Sequence, residues 1–368
     1  MKRQKRRQIL QAGLGLVVVT PLLAAVRKGR FDAAAEILRN ATASGVIESA
    51  TFYVRWKDDI FSQAYGGAAT ADASFLLGSI SKPMVVAAIM SLFDEGEFKL
   101  DDRVVKYLPE FQGDGRESIS MRQLLTHNSG LPDQLPENAK LRASHAPLSE
   151  FISAAIRTPL LFKPGAKYSY SSMAILLASE VAQRVTQKPI AVLVDEVVCQ
   201  PLQLKQTALG IGRLHEESLM RCQVERAAPE SGAGDPAAKS WDWNSDYWRR
   251  LGAPWGGAFS SSPNVARFLD AFLHPQGKML QARTARMMIQ NHNPANMKAR
   301  GLGFDLGSDL KGPAREDVFG HSGSTGTICW ADPTTDSVCV VLTTLPGRAL
   351  TLHPRELVSR GVAETLDA

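Results

Sequence analysis

The sequence predicts a mixed α/β (α+β) fold: one sheet, assembled from both ends of the chain, with a helical lobe inserted between its parts. Three observations predict it. Strand-like segments lie at residues 50–65 and return after residue 303. Residues 78–210 carry mostly helical apolar spacing, broken by Pro and Gly. Helical patterns at 31–44 and 354–366 stand at the two ends of the globular part. Distant strands that join into one sheet leave the helices between them as a second lobe, placed at about 78–250. Clefts between such lobes are common active sites.

The first segment, residues 1–26, reads as an export signal or an N-terminal anchor. Lys2, Arg3, Lys5, Arg6 and Arg7 precede an apolar run over residues 9–25. A charged n-region before such a run is the pattern of a secretory signal. Arg6-Arg7-Gln8-Ile9-Leu10 is similar to a twin-arginine signal. The cleavage region around Ala24 and Ala25 lacks a clean small-x-small pair, so membrane attachment by an uncleaved segment stays open. An exported location, periplasmic or in the cell envelope, is the expectation. The five cations also account for the whole net charge of +5, because 42 basic residues less these five equal the 37 acidic ones. The balanced remainder gives no basis for nucleic-acid binding.

Further along, apolar and Ala positions at 31–44 recur at helical spacing and stop at Gly45. Residues 50–56 read as a strand and 60–65 as its hairpin partner. Beyond Lys82, the residues Val85, Val86, Ile89, Met90 and Phe93 form a stripe ending near Gly96. Residues 226–239 are rich in Ala, Pro, Gly and Ser and read as a flexible loop. The cluster from Trp241 to Trp248 follows, lining a substrate mouth or packing on the helical lobe. Strands return near 303–307, 326–331 and 337–344. The four cysteines form no Cys-x-x-Cys pair, which disfavours a zinc or thiol-redox framework. Cys329 and Cys339 flank the turn at Asp332-Pro333 symmetrically. They read as two free buried thiols, with a cross-hairpin disulfide open in an oxidising compartment.

Chemistry enters with Ser79-Ile80-Ser81-Lys82. On a helix, positions i and i+3 share a face, so the hydroxyl and amine meet. A helix N-terminus adds free N–H groups and partial positive charge beside an anionic oxygen. Ser-x-x-Lys alone is weak, and Ser308-Asp309-Leu310-Lys311 repeats it in a Gly-rich turn where it reads as chance. Other motifs add weight. Tyr170-Ser171-Ser172 opens a helix after Lys163-Pro164-Gly165. Gly320-His321-Ser322-Gly323-Ser324-Thr325-Gly326 leads into a strand. Between them stands a stretch containing His127-Asn128-Ser129-Gly130, which reads as structural. There is no Gly-x-Ser-x-Gly elbow and no His-Glu-x-x-His pattern.

In these motifs and their order, the chain resembles the serine beta-lactamase and penicillin-binding-protein-like hydrolases. It is most similar to the branch of class C beta-lactamases, D-Ala-D-Ala carboxypeptidases and esterases, over residues 31–365. Gly256-Gly257-Ala258-Phe259-Ser260 and Gly301-Leu302-Gly303-Phe304 resemble further family landmarks. The resemblance implies a beta-lactamase-like fold, with an antiparallel sheet flanked by helices and an all-helical lobe. It implies a hydrolase domain over 31–368 that acts through an acyl-enzyme, without cofactor or metal. The implied substrate is a small ester, amide or D-Ala peptide.

The resemblance assigns Ser79 as nucleophile and leaves the base open between Lys82 and Tyr170. It places the N–H groups of Ser79 and Ser324 in an oxyanion hole. Gly323 would let substrate backbone lie against the strand edge, and His321 would face a substrate carboxylate. His321 stands where Lys is usual, and its protonation is expected to modulate turnover of carboxylate-bearing substrates. Ser172 stands where Asn usually completes the second motif. A hydroxyl makes fewer hydrogen bonds than an amide, and a neutral His clamps a carboxylate less firmly than Lys. Both changes favour an esterase or a D-amino-acid peptidase over an efficient beta-lactamase. The alternatives are a beta-lactamase proper, or a non-catalytic penicillin- or peptidoglycan-binding protein on the same fold.

Overall fold

The computed structural model describes residues 29–67, 69–233, 235–310 and 312–368. The export segment at 1–26 lies outside the described residues, as does Lys311 of the second Ser-x-x-Lys copy. Among the described residues no helix is long and apolar enough to cross a membrane.

Helix α1 spans Asp32–Ala43 and buries Ala34, Ala35, Leu38 and Ala41 along one face. Strands β1 (Ala50–Trp56) and β2 (Asp59–Tyr65) form the expected hairpin, with Trp56 opposite Asp59. Lys57, in the turn, takes the positive φ that a tight two-residue hairpin needs. The short strand β3 (Phe75–Leu76) leads through a 3-10 turn, Gly78–Ile80, into helix α2 (Ser81–Asp94). Residues Ser81 to Leu92 of α2 are all buried. That burial on every side makes α2 a central helix rather than the one-faced helix its apolar stripe suggested.

In the helical block follow α3 (Met121–Leu125), α4 (Leu148–Arg157) and α5 (Ser172–Thr186); α5 packs on α2, and α3 and α4 pack on α5. A capping box between Ser120 and Gln123 opens α3. The Ser171 hydroxyl accepts from Ala174 N–H and caps α5. After β4 (Ala208–Leu209) and β5 (Ala258–Ser260), helix α6 (Ser262–Leu273) returns the chain to the large sheet. Strands β6 (Asp305–Leu306), β7 (Phe319–Gly323), β8 (Thr327–Asp332) and β9 (Ser337–Thr343) follow, and helix α7 (Pro354–Asp367) ends the fold.

The large sheet is antiparallel with order β2-β1-β9-β8-β7-β6. Strands β3, β5 and β4 form a second, three-stranded sheet that the sequence reading did not foresee. Alternate residues of β8 and β9 feed two cores. Ile328, Trp330, Cys339 and Val341 join residues of α1 and α7. Cys329, Ala331, Val338 and Val340 join residues of α6 and the helical block.

This alternation decides the cysteine question. The β8–β9 register pairs Trp330 with Cys339 and Cys329 with Val340. The two thiols are therefore offset by one residue and enter opposite cores. All four cysteines are free and buried.

Candidate active site

Ser79 sits in the 3-10 turn between β3 and α2. Gly78 before it holds φ +56, and a Cβ there would come within 3.1 Å of Ser324 N. The turn can thus approach the end of β7 only without a side chain. One turn further on, Lys82 Nζ donates to Ser79 Oγ at 3.0 Å and to the Trp255 carbonyl at 2.8 Å. Lys82 is fully buried. Burial pushes its amine down to about 7; the Asp133 charge opposes this and the Arg300 charge adds to it. An amine titrating near pH 7 can, in its neutral form, accept the serine proton across this contact instead of donating to it.

Tyr170 closes the other side. Its ring centroid lies 4.7 Å from Lys82 Nζ and 5.6 Å from the Arg300 guanidinium. The His127 ring packs behind it at 4.6 Å. Burial raises the phenol above its ordinary value, against the lowering effects of Arg300 and the Ser79 hydroxyl. The phenol closes no hydrogen bond of ordinary geometry. Desolvation neutralises both groups, and the results differ: a neutral lysine is a base, whereas a neutral phenol is an acid. Burial thus favours Lys82 over Tyr170 as the proton acceptor.

The third motif is itself strand β7, and the turn to β8 comes at Ser324-Thr325-Gly326. A Cβ on Gly323 would meet the Leu77 carbonyl at 2.1 Å and Thr327 Oγ1 at 2.3 Å. The missing side chain therefore admits the segment that carries Ser79, not the substrate backbone that the sequence reading placed there. Ser324 and Ser79 line one cleft. Among the described residues the Ser324 N–H meets no protein acceptor, which leaves it available to an oxyanion.

Two further expectations are revised. His321 is only 2% exposed and does not line the cleft. Its Nδ1 donates to the Ser322 carbonyl at 2.8 Å, and its Nε2 accepts from Arg300 at 2.9 Å. Burial, then the Arg300 and Lys82 charges, hold it far below its ordinary pKa. It is a neutral support for Arg300 rather than a titrating carboxylate clamp. Ser172 lines the cleft, but its hydroxyl donates to Asp133 Oδ1 at 2.6 Å and its N–H to the same oxygen at 3.0 Å. The hydroxyl proton is already committed, so Asp133 presents the polar group at this point.

Arg300, Asp133 and the Trp255 carbonyl are the parts that the sequence reading missed. Arg300 is fully buried between the Asp305 carboxylate, the Gly303 carbonyl and His321. It directly precedes Gly301-Leu302-Gly303, and Asp133 directly follows Gly130-Leu131-Pro132. The motifs were visible, but their charged neighbours carried no periodicity that would mark them. The cleft, of about 310 Å³, takes Trp243 and Trp248 into its wall, while Trp241 packs against Arg142. The aromatic cluster therefore serves both of the roles weighed for it.

An acyl-serine site of this geometry on this fold points to one family. The chain belongs to the Beta-lactamase family, whose model matches residues 34–359; its members are serine hydrolases acting on ester or amide bonds. Esterase EstB of Burkholderia gladioli is 30% identical over 289 residues, covering 70% of this chain and 72% of that protein. An Escherichia coli K12 protein named as a D-alanyl-D-alanine carboxypeptidase is 24% identical, covering 70% of this chain and 66% of that protein. Among solved structures, a family VIII carboxylesterase matches with TM-score 0.74 and 20% identity, covering 92% of this chain and 97% of that one. A penicillin-binding-protein homologue from Caulobacter crescentus matches with TM-score 0.74 and 21% identity, covering 91% and 97%.

Proposed function

We propose that the protein hydrolyses a small ester or a D-amino-acid amide through an acyl-enzyme on Ser79. The observation that carries this reading is the 3.0 Å contact between Ser79 Oγ and a buried amine whose pKa is pushed down to about 7. Neutral Lys82 takes the Ser79 proton as Oγ attacks the carbonyl carbon. The oxyanion is met by the N–H groups of Ser79 and Ser324. The protonated amine, or Tyr170 in relay, returns a proton to the leaving group as its bond to carbon breaks. Water then attacks the acyl carbon, passes a proton back toward Ser79 and releases the acid.

The commitment of Ser172 to Asp133 supports an esterase or peptidase over a beta-lactamase. Position 172 itself offers no amide donor to hold the side-chain carbonyl of a beta-lactam, although Gln134 and Asn138 also line the cleft. Intact-mass detection of an acyl adduct, across esters, D-Ala peptides and beta-lactams, tests the reading. An adduct is expected with esters or D-Ala peptides and none with Ser79→Ala. An adduct that persists at the wild-type rate in Ser79→Ala refutes it.

The charged, apolar start of the chain supports export to the periplasm or envelope, with membrane attachment if the segment is retained. Fractionation of cells expressing the full chain tests this. Replacing Arg6 and Arg7 together by Lys is expected to hold the protein in the cytoplasm. Unchanged fractionation would argue against the twin-arginine route.

A further inference from the structure

The Asp133 carboxylate stands in the wall of the cleft that Ser79 also lines. It is exposed to the cleft, and its Oδ1 takes both Ser172 contacts. Among the described residues no donor reaches its Oδ2 and no cation pairs with it. The other charges of the cleft are accounted for. Arg348 lies 3.7 Å from the Glu230 carboxylate. The Arg142 guanidinium packs against Trp241 at 4.9 Å and Trp248 at 4.3 Å. It donates to the carbonyls of Glu230 and Trp241. Asp133 is thus the carboxylate of the cleft wall with no ion-pair partner in contact, its charge acting at a distance on the buried Lys82.

An ionised carboxylate accepts hydrogen bonds and cannot donate. An asparagine at position 172 would offer N–H groups to a substrate carbonyl. Here the Ser172 proton is used internally, and the face turned to the cleft is an acceptor with negative charge. At Ser172 and Asp133 the polarity is thus the reverse of one built to hold an amide carbonyl. A substrate carbonyl at this point is repelled, and an N–H or ammonium is attracted.

We propose that Asp133 is a specificity-determining residue that selects acyl groups carrying a hydrogen-bond donor next to the scissile carbonyl, a protonated amine above all. This rests on the acyl-serine reading of Ser79. It narrows the substrate class to α-amino acyl esters or amides with a free amine.

Three 4-nitrophenyl esters test it: propionate, alaninate as both enantiomers, and N-acetylalaninate. The assay is run at about pH 6, where an α-amino group is protonated. Wild-type protein should favour one alaninate over propionate by about tenfold or more in kcat/KM, as for a hydrogen bond to a charged group. Acetylation removes the charge but keeps one N–H, so it should reduce the preference to the smaller one of a neutral donor. Asp133→Asn keeps an oxygen for Ser172 and should bring the alaninate-to-propionate ratio close to one. Asp133→Glu should retain a preference. Because the readout is a ratio, any shared effect of position 133 on Lys82 cancels. A wild-type ratio near one overturns the inference, and that result does not depend on any variant folding. A ratio unchanged in Asp133→Asn also overturns it. If propionate forms an acyl adduct on Ser79 without discrimination, this inference alone falls. If no ester acylates Ser79, the hydrolase reading falls and takes the inference with it.

Discussion

Lys82 is costly to bury and useful for the same reason. Its folded pKa of about 7 lies below the 10.5 of an ordinary lysine. Between those values the unfolded chain binds more protons, so stability rises with pH across that window. Below about 7 both states are charged and the full penalty, roughly 5 kcal/mol, is present. Lys82→Met should therefore raise the urea midpoint at pH 7, less about 1 kcal/mol for the bond lost at the Trp255 carbonyl. The gain should shrink toward pH 10, and ester turnover should vanish. Equal or lower stability of the variant at pH 7 would contradict the burial argument. Activity should follow the same proton: kcat/KM for a neutral ester should climb through about pH 7 as the amine becomes a base. His321, held neutral well below that range, contributes no limb of its own. A profile for His321→Gln that lost the limb near 7 would assign the proton to the wrong residue.

Among the elements, β7 bears most directly on the site. It carries no side chain at Gly323, where the Leu77 carbonyl passes through the space a Cβ would take. Gly323→Ala should cost about 3 kcal/mol in urea unfolding, since two backbone segments cannot both keep their places. It should also lower acylation of Ser79, because Leu77 stands two residues before the nucleophile. A variant with wild-type stability and rate would show that the strand can shift freely. Arg355 strengthens the same corner, donating to the Gly323 and Thr327 carbonyls from the start of α7. Local pattern was enough to read β1, β2, β9, α1 and α7 to within a residue or two, because each is a long run of strand- or helix-forming residues bounded by turn residues. It was not enough for β3, β4 and β5. These strands span two or three residues, too short for any alternation to show.

Over the whole molecule, the two cores on either side of the sheet make the cysteines inert. Each thiol is buried and pushed above its ordinary pKa, Cys199 and Cys329 to about 12. A thiol reagent should find none of them in the native protein and all four after denaturation, with the melting temperature indifferent to reductant. Fewer than four in the denatured, unreduced protein would reveal a disulfide. The symmetric spacing of Cys329 and Cys339 about their turn left a disulfide open, and the register, offset by a single residue, leaves the thiols free as expected. In a strand, a shift of one residue sends a side chain to the other face.

What the sequence determined by itself is whatever depends on near neighbours along the chain. Ser79 and Lys82 meet because three residues of helix bring them together, and hairpins and caps are likewise local. The tertiary structure alone decided the charges and their work. Arg300 meets His321, Asp133 meets Ser172, and Lys82 meets the Trp255 carbonyl across separations of 21, 39 and 173 residues. Whether an amine is a base, an imidazole neutral or a hydroxyl already spent depends on burial and on which distant groups surround it. No local pattern encodes that environment; it exists only once the lobes have closed around the cleft.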